Sequence, residues 1–548
     1  MAASNCARRA GILLPVTALP SAGGIGTLGA SAYEFVDFLA AAGQSIWQAL
    51  PIGPVGFGHS PYQASSAFAG NPWLIDIEGL VRDGLVTKRE ASAFFAAGVG
   101  RGGGRVSADV NVNADVNARA GGRAGAAAYE FQRKYKEPLL LAAARRLDGR
   151  GAAYRKFLKE SGDWAEAFAL YSAAAAGLGG APLASWPKRL RNPAAAVLTE
   201  LREMYAEEIE CTKRIQYLFF SQWKNLKSYA NLKGVGIVGD LPLYVSADSA
   251  DFWLHRPVFD VGRDGLPAAV GGVPPDDFSE DGQVWNNPVF AWGRHKKEVF
   301  DWWRLRLLQA SRLYDGVRID HFRGFSEYFA IPVSAAGVRV SGAAGGSGAK
   351  YEGSAGAKCA RGAAASSGVW RPGPGKAFID FTRSHFPGLW IIAENLGSLT
   401  EEAEDLLCYS GFPGMKVLQF AFSGDSDNRY LPHNIEENCV VYTGTHDNNT
   451  VKGWARELSQ GQADFALRYL GLSRRLELPS ALIRAALASR ADTAIIPMQD
   501  WLGLGAASRV NTPGTIGGRN WKWRLAEGTL TEGLAERIRA CTKELYGR

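Results

Sequence analysis

Long apolar runs, paired cysteines and blocks of like charge are all missing from this 548-residue chain. No apolar stretch reaches the eighteen or so residues that a membrane-spanning helix needs, so no membrane partner is expected. The six cysteines, at positions 6, 211, 359, 408, 439 and 541, lie far apart and form no C-x-x-C pair. That spacing favours reduced thiols in the cytosol over a zinc site or a disulfide frame. Lys and Arg outnumber Asp and Glu by 61 to 54, but they are scattered, and stretches such as 188–191 (KRLR) are short. A solvated basic face follows, and no nucleic-acid partner. At the N-terminus, MAASNCARRAGILLPV has two arginines before a short apolar run, and Pro15 and Pro20 interrupt it. A signal peptide needs a longer apolar region and a small-residue cleavage site. Residues 10–15 read instead as a first strand. A cytoplasmic protein is expected, with no transit peptide visible.

What is present is an ordinary globular composition, 47% hydrophobic and 21% charged, organised around short apolar runs. Eight of them recur in order: 10–15 (AGILLP), 45–51 (SIWQALP), 235–242 (VGIVGDLP), 314–320 (YDGVRID), 389–394 (LWIIAE), 415–420 (MKVLQF), 439–447 (CVVYTGTHD) and 494–500 (AIIPMQD). Such runs, closed by polar groups and glycine, read as buried parallel strands emptying into loops. Helical periodicity falls between them at 32–42, 299–313 and 376–385. The pattern predicts an α/β fold, a (β/α)8 barrel. A doubly wound sheet would also alternate strands and helices, but its phosphate-binding fingerprint is missing. GVGIVG at 234–239 imitates G-x-G-x-x-G, yet Asp240-Leu-Pro follows at once, which is poor for a helix opening on a phosphate. The match is chance, or marks close backbone packing inside a strand.

The chain is longer than the roughly 250 residues usual for a barrel, so insertions take up the excess. Residues 1–95 should hold the first strands and a substrate-lining loop. A Gly, Ala, Asn and Arg-rich insertion at 96–128 follows, and then a helical subdomain at 129–230. Residues 231–333 carry strands three and four with a lid loop at 271–288. A Gly, Ala and Ser-rich insertion occupies 334–368, and 369–548 supplies strands five to eight and a C-terminal segment. Both insertions lack the apolar content to offset their ordering entropy and should be surface loops.

Three strand ends carry carboxylates: Asp320, Glu394 and Asp447. A single strand-end aspartate more often caps the next helix. The joint pattern is that of a barrel enzyme's active site. Arg318 lies two residues before Asp320, on the same strand face, where its guanidinium can orient that carboxylate. This suits a nucleophile. Apolar neighbours before Glu394 should raise its pKa, as a general acid at neutral pH requires. Two carboxylates so assigned would form a retaining glycosidase pair. The pairs Asp320–His321 and His446–Asp447 could instead be metal ligands, but no H-x-H or H-x-x-x-H spacing accompanies them, and no metal is expected.

Longer motifs bring in a family. Residues 11–21 (GILLPVTALPS), 48–54 (QALPIGP), 60–75 (SPYQASSAFAGNPWLI), 239–245 (GDLPLYV) and 271–276 (GGVPPD) occur in order. So do 317–324 (VRIDHFRG), 392–397 (IAENLG), 414–422 (GMKVLQFAF), 443–450 (TGTHDNNT), 511–514 (NTPG) and 520–524 (NWKWR). With them the chain resembles the 4-α-glucanotransferases, the amylomaltases or disproportionating enzymes related to the α-amylase clan. The resemblance implies exchange of α-1,4-glucan segments between maltooligosaccharides, with no cofactor. It implies Asp320 as nucleophile, Glu394 as acid/base, and Asp447 gripping hydroxyls of the distorted ring, with His446 beside it. Arg318 would orient Asp320, and Asp240, Tyr62 and Ser60 would line the donor side. Phe278 and Trp285 would offer stacking surfaces for acceptors, although most of the sixteen tryptophans must serve packing. An α-glucan hydrolase of the same clan, or a non-catalytic glucan-binding barrel, are the alternatives. Three positions depart from the family pattern: His59, Asp277 and Asn286, the last where a glycine is common.

Overall fold

The computed structural model describes residues 8–99, 129–275, 282–333, 367–397 and 399–548. Phe278, Asp277, Cys6, Cys359 and most of both low-complexity insertions lie outside these residues. Eight strands close into a parallel barrel. Numbered along the whole chain, they are β1 (Arg9–Leu13), β2 (Ile46–Gln48), β3 (Gly236–Leu241), β6 (Gly316–Ile319), β9 (Trp390–Ala393), β10 (Gly414–Val417), β11 (Cys439–Tyr442) and β12 (Thr493–Pro497). β12 pairs back onto β1, from Arg9 against Thr493 to Leu13 against Pro497, and closes the ring. The runs at 415–420 and 494–500 are shorter as strands than their apolar length implied. Leu418–Phe420 turns into a 3-10 helix, and Met498–Trp501 is helical.

Each strand is buried on both faces, which explains the continuous apolar runs. Leu13, Ile46, Val238, Ile392, Val440, Tyr442 and Ile495 fill the barrel interior. Their strand neighbours Ile12, Ile237, Ile391, Val441 and Ile496 pack outward with the helical ring. Of the glycines of GVGIVG, Gly239 resolves as packing. A Cβ on Gly239 would stand 2.4 Å from the Tyr314 ring.

The helical stretch does two things. Glu137–Arg146, Ala152–Ser161, Asp163–Gly177 and Ala195–Met204 form a helical layer outside the barrel. The 27-residue helix Ala206–Leu232 packs on Asp163–Gly177 and Glu137–Arg146 of that layer and also on β3, Ala30–Ala41 and Lys296–Leu313, so it joins the layer to the barrel's own ring. Its buried stripe, Phe219, Trp223, Leu226 and Ala230, keeps the spacing of one helical face. Glu207 and Glu208 favour its first turn, and Gly234, with φ of 76°, ends it.

A second sheet stands outside the barrel. β4 (Ala269–Val273), β5 (Gln283–Pro288), β7 (Glu327–Pro332) and β8 (Val369–Pro372) form it, antiparallel, in the order β5-β4-β7-β8. The expected lid loop at 271–288 therefore begins and ends in strands. Glycine and proline hid them. A Cβ on Gly272 would reach the Gln283 carbonyl at 2.2 Å, where the β4–β5 register shifts at a bulge.

Candidate active site

Strand register brings Asp240, Asp320 and Glu394 together, whereas Asp447, expected at a strand end, lies in the loop that follows β11 (Cys439–Tyr442). On β3 and β6, Asp240 pairs with Arg318 and Leu241 with Ile319; on β6 and β9, Ile319 pairs with Ala393. Asp320 and Glu394 each stand one residue beyond those pairs, at neighbouring strand tips. The ladder continues through them. The Asp320 amide donates to the Leu241 carbonyl (3.1 Å), that of Glu394 to Ile319 (3.0 Å), and that of Phe322 to Glu394 (3.0 Å). Pleat parity then aims the side chains. Val238 and Ile392 point into the barrel, so Asp240 and Glu394, two residues on, point to its open end.

Arg318 is the hub. Its Nη1 donates to Asp240 Oδ2 at 2.6 Å and its Nη2 to Asp320 Oδ1 at 3.0 Å. Glu394 Oε2 lies 3.9 Å from the same Nη2. The two carboxylate oxygens are thus within about 7 Å of each other. A retaining pair requires a separation of roughly 5–5.5 Å. Glu394 also accepts from the His321 amide (2.6 Å) and the Leu396 amide (3.2 Å). Burial pushes its carboxyl above the usual range; Arg318 opposes that shift and Asp320 adds to it. Burial likewise raises Asp240, against the pull of Arg318.

The remaining side chains arrive from distant loops. Tyr62 donates its hydroxyl proton to Asp240 Oδ2 at 3.0 Å. Ser60 caps the 3-10 turn Pro61–Gln63, its Oγ accepting from the Tyr62 amide, so it orients Tyr62. The buried His446 ring stacks on Tyr62 at 5.2 Å and lies 3.4 Å from Asp447 Oδ1. Burial lowers its pKa and keeps the ring neutral at neutral pH. Trp285, on β5, meets the edge of His321 at 4.8 Å. His321 itself is left-handed, with φ of 51°, and burial pulls its pKa down to about 4.

Two departures from the family pattern fall at left-handed backbone positions. His59 (φ 63°) and Asn286 (φ 60°) both adopt left-handed conformations, where asparagine and histidine are among the better tolerated non-glycine residues. Several residues at the site escaped sequence reasoning. Asn511 donates from Nδ2 to Asp447 Oδ1 at 2.6 Å, and Arg509 bonds the carbonyls of Asp447 and Asn511. Trp521 tilts over Tyr62 and His446 at 5.8 and 5.9 Å. Asn511 and Trp521 lie inside recognised motifs, but nothing local to them names a partner. Among the described residues no group of three or more His, Cys, Asp or Glu could hold a metal ion, and no helix is long and apolar enough to cross a membrane.

A closed parallel barrel with an arginine-linked carboxylate cluster at its strand tips has the architecture of a barrel enzyme. The 4-alpha-glucanotransferase family model matches residues 14–531, and the chain belongs to that family. It is 38% identical to the chloroplastic/amyloplastic 4-alpha-glucanotransferase of Arabidopsis thaliana, over 99% of this chain and 86% of that protein. It is 37% identical to the 4-alpha-glucanotransferase of Clostridium butyricum, over 97% and 99%. Among solved structures, the amylomaltase of Streptococcus agalactiae in complex with acarbose aligns with a TM-score of 0.83 at 36% identity, over 99% of each chain.

Proposed function

We propose that this 4-alpha-glucanotransferase moves α-1,4-glucan segments between maltooligosaccharides by a retaining double displacement. The Arg318 fork carries the reading: one guanidinium bonds Asp240 and Asp320 and lies 3.9 Å from Glu394. Asp320 attacks the anomeric carbon, and the bond to the leaving glucan oxygen breaks as Glu394 delivers its proton there. The elevated pKa of Glu394 suits that donation, because the group must enter the step protonated. A covalent glucosyl ester on Asp320 results. The 4-hydroxyl of a second glucan then gives its proton to Glu394 and attacks the same carbon, which frees Asp320. Two inversions give net retention.

Asp447, with its charge directed by Asn511, grips hydroxyls of the distorted ring, and the neutral His446 beside it donates a hydrogen bond without adding charge. Tyr62 and Asp240 form the donor-side wall, and Trp285 an acceptor platform.

Incubation with maltotriose, with products resolved by chain length, tests this. Glucose together with maltopentaose and longer chains is expected, and an Asp320→Ala variant should yield neither. Glucose and maltose alone would make the protein a hydrolase instead.

A further inference from the structure

We propose that Asp500 is a positioning residue for Asp447, holding both ends of the loop that carries it; this rests on the role assigned to Asp447 above. The loop, residues 443–450, leaves β11 at Thr443 and enters the helix Val451–Glu457. Asp500 follows β12, the next strand round the barrel. Its Oδ2 accepts from the Thr443 hydroxyl at 2.6 Å, and its Oδ1 from the Val451 amide at 2.8 Å. One carboxylate therefore bonds the residue that opens the loop and the residue that follows it.

Both bonds are buried. Thr443 is fully enclosed, and Asp500 is 6% exposed. Burial pushes the Asp500 carboxyl up to about 6, which leaves it ionised and accepting at neutral pH. Charge-assisted bonds of this length are the strong kind. The loop has no regular structure of its own, so its tip depends on such anchors. Inside it, Asn448 Oδ1 accepts from the Thr445 amide and hydroxyl, and Gln419 donates to the Asn449 carbonyl at 2.7 Å. At the tip, Arg509 bonds the Asp447 carbonyl, and Asn511 bonds its carboxylate. The far side of the loop thus bonds the chain after β12, and its two ends bond Asp500. A misplacement of about 1 Å at a reacting group can cost on the order of a hundredfold in rate.

The test is a cycle with maltotriose as substrate, measuring kcat, KM and thermal unfolding for Asp500→Asn, Asp447→Asn and the double variant. Asp500→Asn should lower kcat by roughly 10- to 100-fold, with KM changing less than about threefold, since the outer subsites are untouched. In the Asp447→Asn background the same change should cost less than about threefold, because the residue acts through Asp447. An equal loss in both backgrounds would overturn the proposal and leave Asp500 a stabilising residue only. If Asp500→Asn does not fold, Thr443→Val removes one bond at nearly constant shape. A fall in kcat at unchanged Tm supports the proposal, and wild-type kcat overturns it. An Asp447→Asn enzyme at wild-type speed would instead sink the role given to Asp447, and this inference with it.

Discussion

Asp320 and Glu394 lie on either side of one guanidinium and differ in burial, and the proposed mechanism divides their work along that difference. For Asp320→Asn, loss of the attacking oxygen should lower maltotriose turnover by at least about a thousandfold while the fold survives. For Glu394→Gln, loss should depend on the leaving group. Maltotriose needs a proton on the departing oxygen and should slow by about 10²–10⁴-fold, whereas α-glucosyl fluoride, which leaves as an anion, should slow far less. Equal losses with both donors would remove Glu394 as the acid. The pH profile follows with a definite sign. Burial raises the Glu394 pKa, and the acid form is the active one. kcat/KM should therefore fall as pH rises through that value, on a limb lying above the ordinary carboxylate range near 4.3. Glu394→Gln should lack that limb. These carboxylates were legible in the sequence because strand and tip are contiguous there. Asn511, Arg509 and Asp500 were not, since each acts on residues about fifty or more positions away.

At the scale of elements, the barrel strands were readable because burial on both faces leaves unbroken apolar runs. The side sheet was not. Two of its strands give little apolar signal, β4 (AVGGV) with paired glycines and β5 (QVWNNP) with paired asparagines, and Gly272 answers a close approach of the Gln283 carbonyl that only the folded partner creates. The helix Ala206–Leu232 packs both on the helical layer and on β3, and its sequence alone does not name either partner. An apolar stripe reveals a buried face without naming what buries it. Gly239 illustrates the cost of such contacts. Gly239→Ala would push a methyl to 2.4 Å from the Tyr314 ring, and overpacking of this kind costs about 1–3 kcal/mol. A lower denaturation midpoint in urea is the expected result. Activity should fall as well, because Asp240 is the next residue. An unchanged midpoint would mean that Tyr314 can move aside freely.

For the whole molecule, the site draws on segments running from Ser60 to Trp521, so ligand binding and global stability should be linked. On the proposed function, maltotriose added to the inactive Asp320→Ala variant should raise its unfolding temperature in a concentration-dependent way. At a hundred times its Kd the stabilisation would be about 2.7 kcal/mol. No shift at saturating maltotriose would argue against a glucan-shaped cleft. The cysteines give a second global readout. Cys211, Cys408, Cys439 and Cys541 are free, with Cys211 and Cys439 buried. Adding reductant should leave Tm unchanged, and a drop would reveal a disulfide.

The sequence by itself determined the barrel class, the order of its eight strands and the family, and it singled out Asp320, Glu394 and Asp447, because each is written in contiguous residues. Only the tertiary structure decided that Arg318, expected beside Asp320, would also bond Asp240 and lie close to Glu394, and that Trp285 would arrive on a separate sheet. It alone decided that Asn511 and Asp500 would meet the Asp447 loop. Those outcomes depend on strand register and ring closure. A shift of one residue between β6 and β9 would leave every motif intact and move Glu394 out of step with Asp320.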